Sequence, residues 1–353
     1  MSAFTLAPKP ACLPGYHRVL ASTAGVKVSP LCLGTMNFGT KWEDFMGECS
    51  KLQSFAILDA FYRFGGNFLD TSLGEWMKER SNRDQLVIAT KHTTEFRASH
   101  HDIEPLQSNF KLQTDYIDLL YVHWWDFTTS IEEVMHGLNA LVLSGKVLYL
   151  GISDILAWIA VKANDYARAN GLRLFSVYQE KWNAGFRDLE REIIPMCRDQ
   201  GMGIAPWAPL GQGKFKTAEA RGTGESGSAR ASNMSENDIK ISEALEEIAK
   251  KKNTNLHAIA LAYVLHKTPY VFPIVGQRKI EHLEANVDAL SVALSDEDLN
   301  EIESAIPFGM GSPMNFIFRN GVSNNSAADV FLAQISAHID APPHPSPIRP
   351  HQL

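Results

Sequence analysis

The 353 residues carry a formal charge of −7, with 33 basic and 40 acidic residues mixed along the chain rather than gathered in a stripe, a balance that speaks against a nucleic-acid partner. No run approaches the roughly 18 apolar residues of a membrane span, the N-terminus lacks the long apolar core of a secretory leader, and Cys12, Cys32, Cys49 and Cys197 lack the spacing of a zinc site or disulfide framework. With 45% hydrophobic residues, enough for a large core, the chain reads as a soluble, cytoplasmic protein.

Residues 1–30 form an N-terminal extension, and within it His17–Val28 reads as a short hairpin closing a barrel floor. From there, short apolar, β-rich runs alternate with helical patterns. The predicted strands are Leu31–Met36, Asn67–Asp70, Leu86–Thr90, Ile117–His123, Val147–Ile152, Phe175–Gln179, Gly203–Trp207 and Val271–Val275. Most are apolar on both faces, as parallel strands covered by helices should be. The predicted helices include Ser50–Phe64, Ser130–Ser144, Leu156–Ala169, Leu189–Gln200, Leu256–Lys267 and Lys279–Leu290. Gly145, Gly171 and Gly201 stand just past three of them, where helices stop. Eight such units predict an α/β fold, the (β/α)8 TIM barrel. No Gly-rich fingerprint follows the first strand, which counts against a Rossmann domain.

The units after strands two and three are expected to be short. Fifteen residues separate Asp70 from Leu86, and Pro105 disfavours helix just before it. Residues 212–236, rich in Gly, Ser, Ala and Glu, read as a flexible loop. Residues 307–353 carry many prolines and little periodicity, and read as a C-terminal tail over the surface, with the barrel mouth as one place for it. No linker divides the chain, so residues 1–353 form a single barrel domain by this reading.

Parallel barrels hold their active sites at the carboxyl ends of the strands. Asp70, Lys91 and His123 end strands two, three and four in turn. A lysine beside an aspartate is held charged and depresses the pKa of a neighbouring acid. A histidine at the mouth can donate to a substrate oxygen. Taken singly, each has a plainer reading: the aspartate caps a turn, and the histidine packs. Together, three such residues on consecutive strands would suit polarisation of a carbonyl.

Their contexts are specific. Asn-Phe-Leu-Asp-Thr surrounds Asp70, Leu-Val-Ile-Ala-Thr-Lys ends in Lys91, and Tyr-Ile-Asp-Leu-Leu-Tyr-Val-His-Trp-Trp-Asp surrounds His123. Each resembles the corresponding strand of the aldo-keto reductases. Gly-Glu-Trp-Met, His-Trp-Trp-Asp-Phe-Thr-Thr-Ser and Ala-Pro-Trp-Ala-Pro-Leu-Gly resemble the fungal aryl-alcohol dehydrogenase and norsolorinic acid reductase branch, over about Gly34 to Asn286. The resemblance implies that Asp70 orients and charges Lys91, that Lys91 lowers the pKa of the acid, and that His123 positions the carbonyl. In that family the acid is a tyrosine just after the aspartate. Here Asp70-Thr71-Ser72 runs at once into Leu73-Gly74-Glu75-Trp76-Met77, and the stretch that would carry the tyrosine is absent. Tyr62 lies on the helix before strand two, and Tyr116 at the start of strand four. Tyr121 shares the strand face of His123 one step deeper, and reads as barrel core or cofactor floor.

The resemblance also implies NADP(H) as cofactor, with Asp70 among its contacts, and no metal. Ser153 and Asp154 would contact the nicotinamide carboxamide and Gln179 add an amide contact. Trp207 would place a ring under the nicotinamide. Ala208, Pro209, Leu210, Gly211, Gly213 and Lys214 would form a pyrophosphate loop, since glycines let backbone N–H groups approach phosphate closely. Read alone, that loop is an ordinary turn. After strand eight, Gln277, Arg278 and Lys279 open a helix that also carries His282 and Asn286. Cations there suit a 2′-phosphate, and Asn286 the adenine edge. Many members have arginine or glutamine in place of His282 and glutamate in place of Ala285. The plain reading of these charges is a solvated helix start.

Three functions follow. The leading one is an NADP(H)-dependent reductase of a small-molecule ketone or aldehyde, or an alcohol dehydrogenase, in fungal secondary metabolism of polyketides or terpenoids. A second is a catalytically silent dinucleotide-binding or regulatory module, favoured by the absent tyrosine. A third is a coding sequence that lacks segments around positions 72 and 98. The substrate and the oligomeric state are not readable from these residues.

Overall fold

The computed structural model describes residues 6–39, 43–70, 73–93, 112–222, 234–319, 326–342 and 345–351. An antiparallel hairpin comes first, β1 (Arg18–Ala21) and β2 (Ala24–Val28). Eight parallel strands follow: β3 (Cys32–Gly34), β4 (Phe68–Asp70), β5 (Val87–His92), β6 (Ile117–His123), β7 (Val147–Ser153), β8 (Phe175–Gln179), β9 (Gly203–Ile204) and β10 (Ile274–Val275). Their sheet order is β10-β3-β4-β5-β6-β7-β8-β9. Its two ends meet where Phe272 N–H donates to Ile204 O at 2.8 Å and Ile274 N–H to Pro206 O at 2.9 Å. Those bonds close the sheet into the (β/α)8 barrel that the eight-unit pattern predicts.

Helices α1 (Lys51–Arg63), α2 (Gly74–Arg80), α3 (Ile131–Leu143), α4 (Ala157–Ala169), α5 (Ile193–Gln200), α6 (Glu236–Lys251), α7 (Leu256–Lys267), α8 (Ile280–Asp288) and α9 (Asp296–Ser304) accompany the strands. Local chemistry sets several of their starts. Ser50, Ser235 and Ser295 each make a capping box with the residue three positions on, and Ser130 and Asn255 accept a first-turn N–H, which satisfies donors that helix starts leave open. Gly201 ends α5 at φ +67°, a conformation glycine adopts freely.

The hairpin plugs the floor, as its sequence predicts. Ser22 and Thr23 hydroxyls donate to Gly201 O at 3.1 and 2.9 Å, and Ser29 N–H donates to Asn67 Oδ1 at 2.7 Å. Leu20, Ala21, Ala24 and Val28 then pack against Phe68, Val87, Leu119, Val177 and Phe272 inside the barrel.

The unit after β4 is short, also as predicted: α2 has 7 residues where α1, α3 and α4 each have 13. Buried Trp76 anchors it by donating from Nε1 to Asp59 Oδ1 at 2.8 Å, and Arg80 pairs with the same carboxylate at 2.9 Å. Thr71, Ser72 and the unit around Pro105 lie outside the described residues.

Around residues 212–236, Gly211–Gly213 and Ala218–Gly222 are helical turns, and α6 begins at Glu236. Residues 223–233 lie outside the described residues. The tail, for its part, anchors at the wall and floor. Arg191 Nε donates to Gly309 O at 3.0 Å, Arg349 Nη1 to Leu294 O at 3.0 Å, and His351 stacks on Tyr16 at 4.3 Å, beside the floor hairpin. The mouth is not among these anchors of the described tail. No described helix is long and apolar enough to cross a membrane.

Candidate active site

Strand alternation decides what lines the barrel. Register pairs Lys91 with Tyr121 and Gly151, and His123 with Ser153 and Gln179. The lower layer is apolar and fully packed. Gly151 leaves room there for Tyr121, whose ring would lie 2.5 Å from a Cβ. One step up, the inward positions turn polar.

Asp70 and Lys91 meet directly. Lys91 Nζ donates to both carboxylate oxygens, at 2.9 and 2.6 Å, and Gln179 Nε2 adds a contact to Asp70 Oδ2 at 3.3 Å. Asp70 is buried and Lys91 half-buried. Thr35 N–H and Oγ1 both donate to Asp70 O, at 3.2 and 3.0 Å, and hold the strand end from the β3 side.

A second cluster stands on β6, β7 and the segment after β9. Asp154 takes a left-handed φ of +53° just past β7. Ser153 Oγ donates to it at 2.7 Å, Trp207 Nε1 at 3.3 Å, and His123 Nε2 lies 3.6 Å away. Burial alone pushes this carboxyl up, but the contacts from His123, Ser153 and Trp207 outweigh it and hold Asp154 below the usual carboxylate range.

Tyr121 is fully buried, with its ring 5.5 Å from Lys91 Nζ. Among the described residues its hydroxyl has no hydrogen-bond partner of normal geometry. Burial, then the charges of Asp70 and Cys32, push its pKa well above the ordinary phenol value. It is part of the barrel core, as its position on β6 suggests.

The remaining predicted residues fall into two groups. In the loop Ala208–Lys214, Ala208, Gly211 and Gly213 take positive φ, Asn183 Nδ2 donates to Ala208 O at 3.0 Å, and Pro209 and Gly211 are buried while Leu210 is partly so. Lys214 is paired with Asp238 at 3.2 Å, at the start of α6. After β10, Gln277 is buried, Arg278 half-buried and Lys279 exposed. Among the described residues, neither polar atom of the Gln277 amide has a partner. On α8, His282 is exposed and Asn286 buried.

Sequence reasoning missed two neighbours of this last group. Asn37 Nδ2 donates to Gln277 O at 2.8 Å across 240 positions of chain, and Gly47 lies against Arg278. No spacing in the sequence signals either, because the barrel seam brings them together.

Residues 30–307 match the aldo/keto reductase family. The chain belongs to the aldo/keto reductase family. Its relatives include norsolorinic acid reductase of Aspergillus flavus, 47% identical over 98% of this chain and 96% of that protein. An aryl-alcohol dehydrogenase of Pestalotiopsis microspora is 44% identical over 99% and 97%. The NADP(+) aryl-alcohol dehydrogenase of Phanerodontia chrysosporium is 41% identical over the whole of both chains. The family and these relatives support an oxidoreductase. In this aldo/keto reductase the polar cluster stands where strand-end chemistry is expected.

Proposed function

We propose that this aldo/keto reductase binds NADP(H) at its barrel mouth and interconverts a small carbonyl compound and its alcohol, slowly, because it lacks a positioned phenol. The substrate class is a ketone or aldehyde of secondary metabolism, of polyketide or terpenoid type, in line with the norsolorinic acid reductases among its relatives. The Asp70–Lys91 ion pair at the ends of β4 and β5 carries this reading.

The residues present fit the cofactor. The buried Gln277 amide, unpartnered among the described residues, stands beside Arg278 and Lys279 and suits an anionic, hydrogen-bonding nucleotide. Arg278 and Lys279 would hold the 2′-phosphate, with His282 and Asn286 toward the adenine. The loop Ala208–Lys214 would hold the pyrophosphate. Ser153, Asp154 and Gln179 would orient the carboxamide, with Trp207 against the ring. The bound cofactor supplies or accepts a hydride.

The chain's own contribution is polar positioning. Asp70, braced by Gln179, fixes the Lys91 ammonium at the mouth. His123, beside Asp154, offers its ring to the substrate oxygen. Hydride addition builds negative charge on that oxygen, and general acid catalysis there contributes about 10²–10⁴-fold. No tyrosine stands between Asp70 and Trp76. Tyr121, the phenol next to Lys91, is sealed in the core.

The same gap supports a second reading, a dinucleotide-binding module without turnover. The alignment to the Aspergillus flavus relative spans 381 positions, more than the 353 residues here, so that protein carries residues with no counterpart in this chain. A coding sequence lacking a segment after Thr71 fits that excess too.

Titration with NADPH and NADH, followed by tryptophan fluorescence, tests the cofactor. A charge-assisted phosphate contact is worth about 1.5–3 kcal/mol, so NADPH is expected to bind at least about tenfold more tightly. Arg278→Ala is expected to remove most of that difference. Equal affinities, unchanged by Arg278→Ala, would overturn the assignment.

A further inference from the structure

The first and last barrel strands in sequence meet at a seam, where Cys32 pairs with Ile274 and Leu33 with Val275. In the segment after β3, Gly39 N–H donates to Cys49 O at 2.9 Å. Asn37 and Gly47, both from this segment, brace the residues after β10. Asn37 holds the Gln277 carbonyl at 2.8 Å. Gly47, at φ +80°, lies beneath Arg278: a Cβ built there would sit 1.8 Å from Nη1 and 2.7 Å from Cζ. The guanidinium occupies the space where any other residue would carry its side chain.

We propose that Gly47 is a positioning residue for Arg278, and that its bare Cα sets the direction in which the guanidinium meets a phosphate monoester on the cofactor ribose. The proposal rests on the NADP(H) reading above. A guanidinium recognises phosphate through a planar fork of N–H groups, so its orientation matters as well as its charge. A methyl group at position 47 must push the fork aside while the charge stays. The change should therefore weaken the dinucleotide that carries the extra phosphate and spare the one that does not.

The test is a double-mutant cycle on the full chain, using Gly47→Ala, Arg278→Ala and the pair, titrated with NADPH and NADH by tryptophan fluorescence. Gly47→Ala is expected to weaken NADPH about tenfold, the loss of about one charged hydrogen bond, with NADH changed less than about twofold. The double variant is expected to bind NADPH no more weakly than Arg278→Ala alone. Equal weakening of both cofactors, or an undiminished effect of Gly47→Ala in the Arg278→Ala background, would overturn the proposal. A response to Arg278→Ala without one to Gly47→Ala overturns it alone; no response to Arg278→Ala overturns the cofactor reading as well. Where Gly47→Ala does not fold, Arg278→Lys probes the same geometry, since it keeps the charge and removes the fork. NADPH affinity is then expected to fall about tenfold, and full retention would contradict the role given to Gly47.

Discussion

Two carboxyl groups one strand apart are tuned in opposite directions. Asp154 gathers His123, Ser153 and Trp207 and stays ionised. Glu180, just past Gln179, receives the Tyr178 hydroxyl at 3.0 Å. Burial pushes its carboxyl up to about 7 against that hydrogen bond, with help from the charges of Asp154 and Asp188. The folded chain therefore holds this proton more tightly than the unfolded chain does. The penalty for ionising Glu180 is absent below the ordinary 4.5, grows between there and about 7, and is complete above. Glu180→Gln keeps the shape and removes the charge. It is expected to raise the Tm at pH 8.5 and leave it unchanged at pH 4; thermal melts at both values check this, and a lower Tm at pH 8.5 would contradict it. At this scale the sequence was informative where period-two alternation operates. Asp70, Lys91, His123 and Gln179 were legible as strand-end residues because alternation aims them inward. Contacts between those side chains, such as Gln179 with Asp70, were not, since they depend on the stagger of strands around the barrel.

Elements are locked together outside the barrel by a buried ion-pair network. Glu190, fully buried before α5, accepts from Trp182 Nε1 at 3.2 Å, Arg187 Nη2 at 2.8 Å and Tyr263 Oη at 3.1 Å, with Lys267 Nζ 3.4 Å away. Arg187 and Lys267 also reach Glu303 on α9. Burial alone raises the Glu190 pKa, but the charges of Lys267 and Arg187 outweigh it, and the net direction is down. Its contribution is present above the unfolded carboxylate pKa and lost as pH falls through the folded one. Glu190→Ala leaves buried donors and cations without their partner, and is expected to destabilise by about 3–5 kcal/mol at neutral pH in urea denaturation. A loss under about 1 kcal/mol would show the network to be replaceable. Helices with an apolar stripe were legible to within a few residues at each end. Helix α6 was missed, although Ser235 and Asp238 make its cap and Ile241, Leu245 and Ile248 its buried stripe. The Gly- and Ser-rich run before it masked that signal.

The whole molecule is a barrel with one plugged end and one polar end. The fold was legible because eight apolar runs alternate with helical ones, and parallel strands with that spacing close on themselves. The path of the tail was not, since a proline-rich segment without periodicity is placed by a few anchors such as Arg349 and His351. At the polar end, Lys91, Asp70 and His123 stand together, and among the described residues the phenol nearest Lys91, that of Tyr121, is buried; on the proposed reading these three would position a carbonyl without a donor phenol. The chain is thus expected to bind its cofactor and turn over poorly. On the proposed reading, restoring one side chain should not repair it, because the loop that would carry the acid would be shortened as well. The deciding measurement is the NADPH-dependent turnover of a simple aromatic aldehyde by the chain as it stands and by a version with a tyrosine-bearing segment inserted after Thr71. The restored version is expected to be faster by about 10²–10⁴-fold; equal rates would contradict the account and send the search for the acid elsewhere, first to Tyr121.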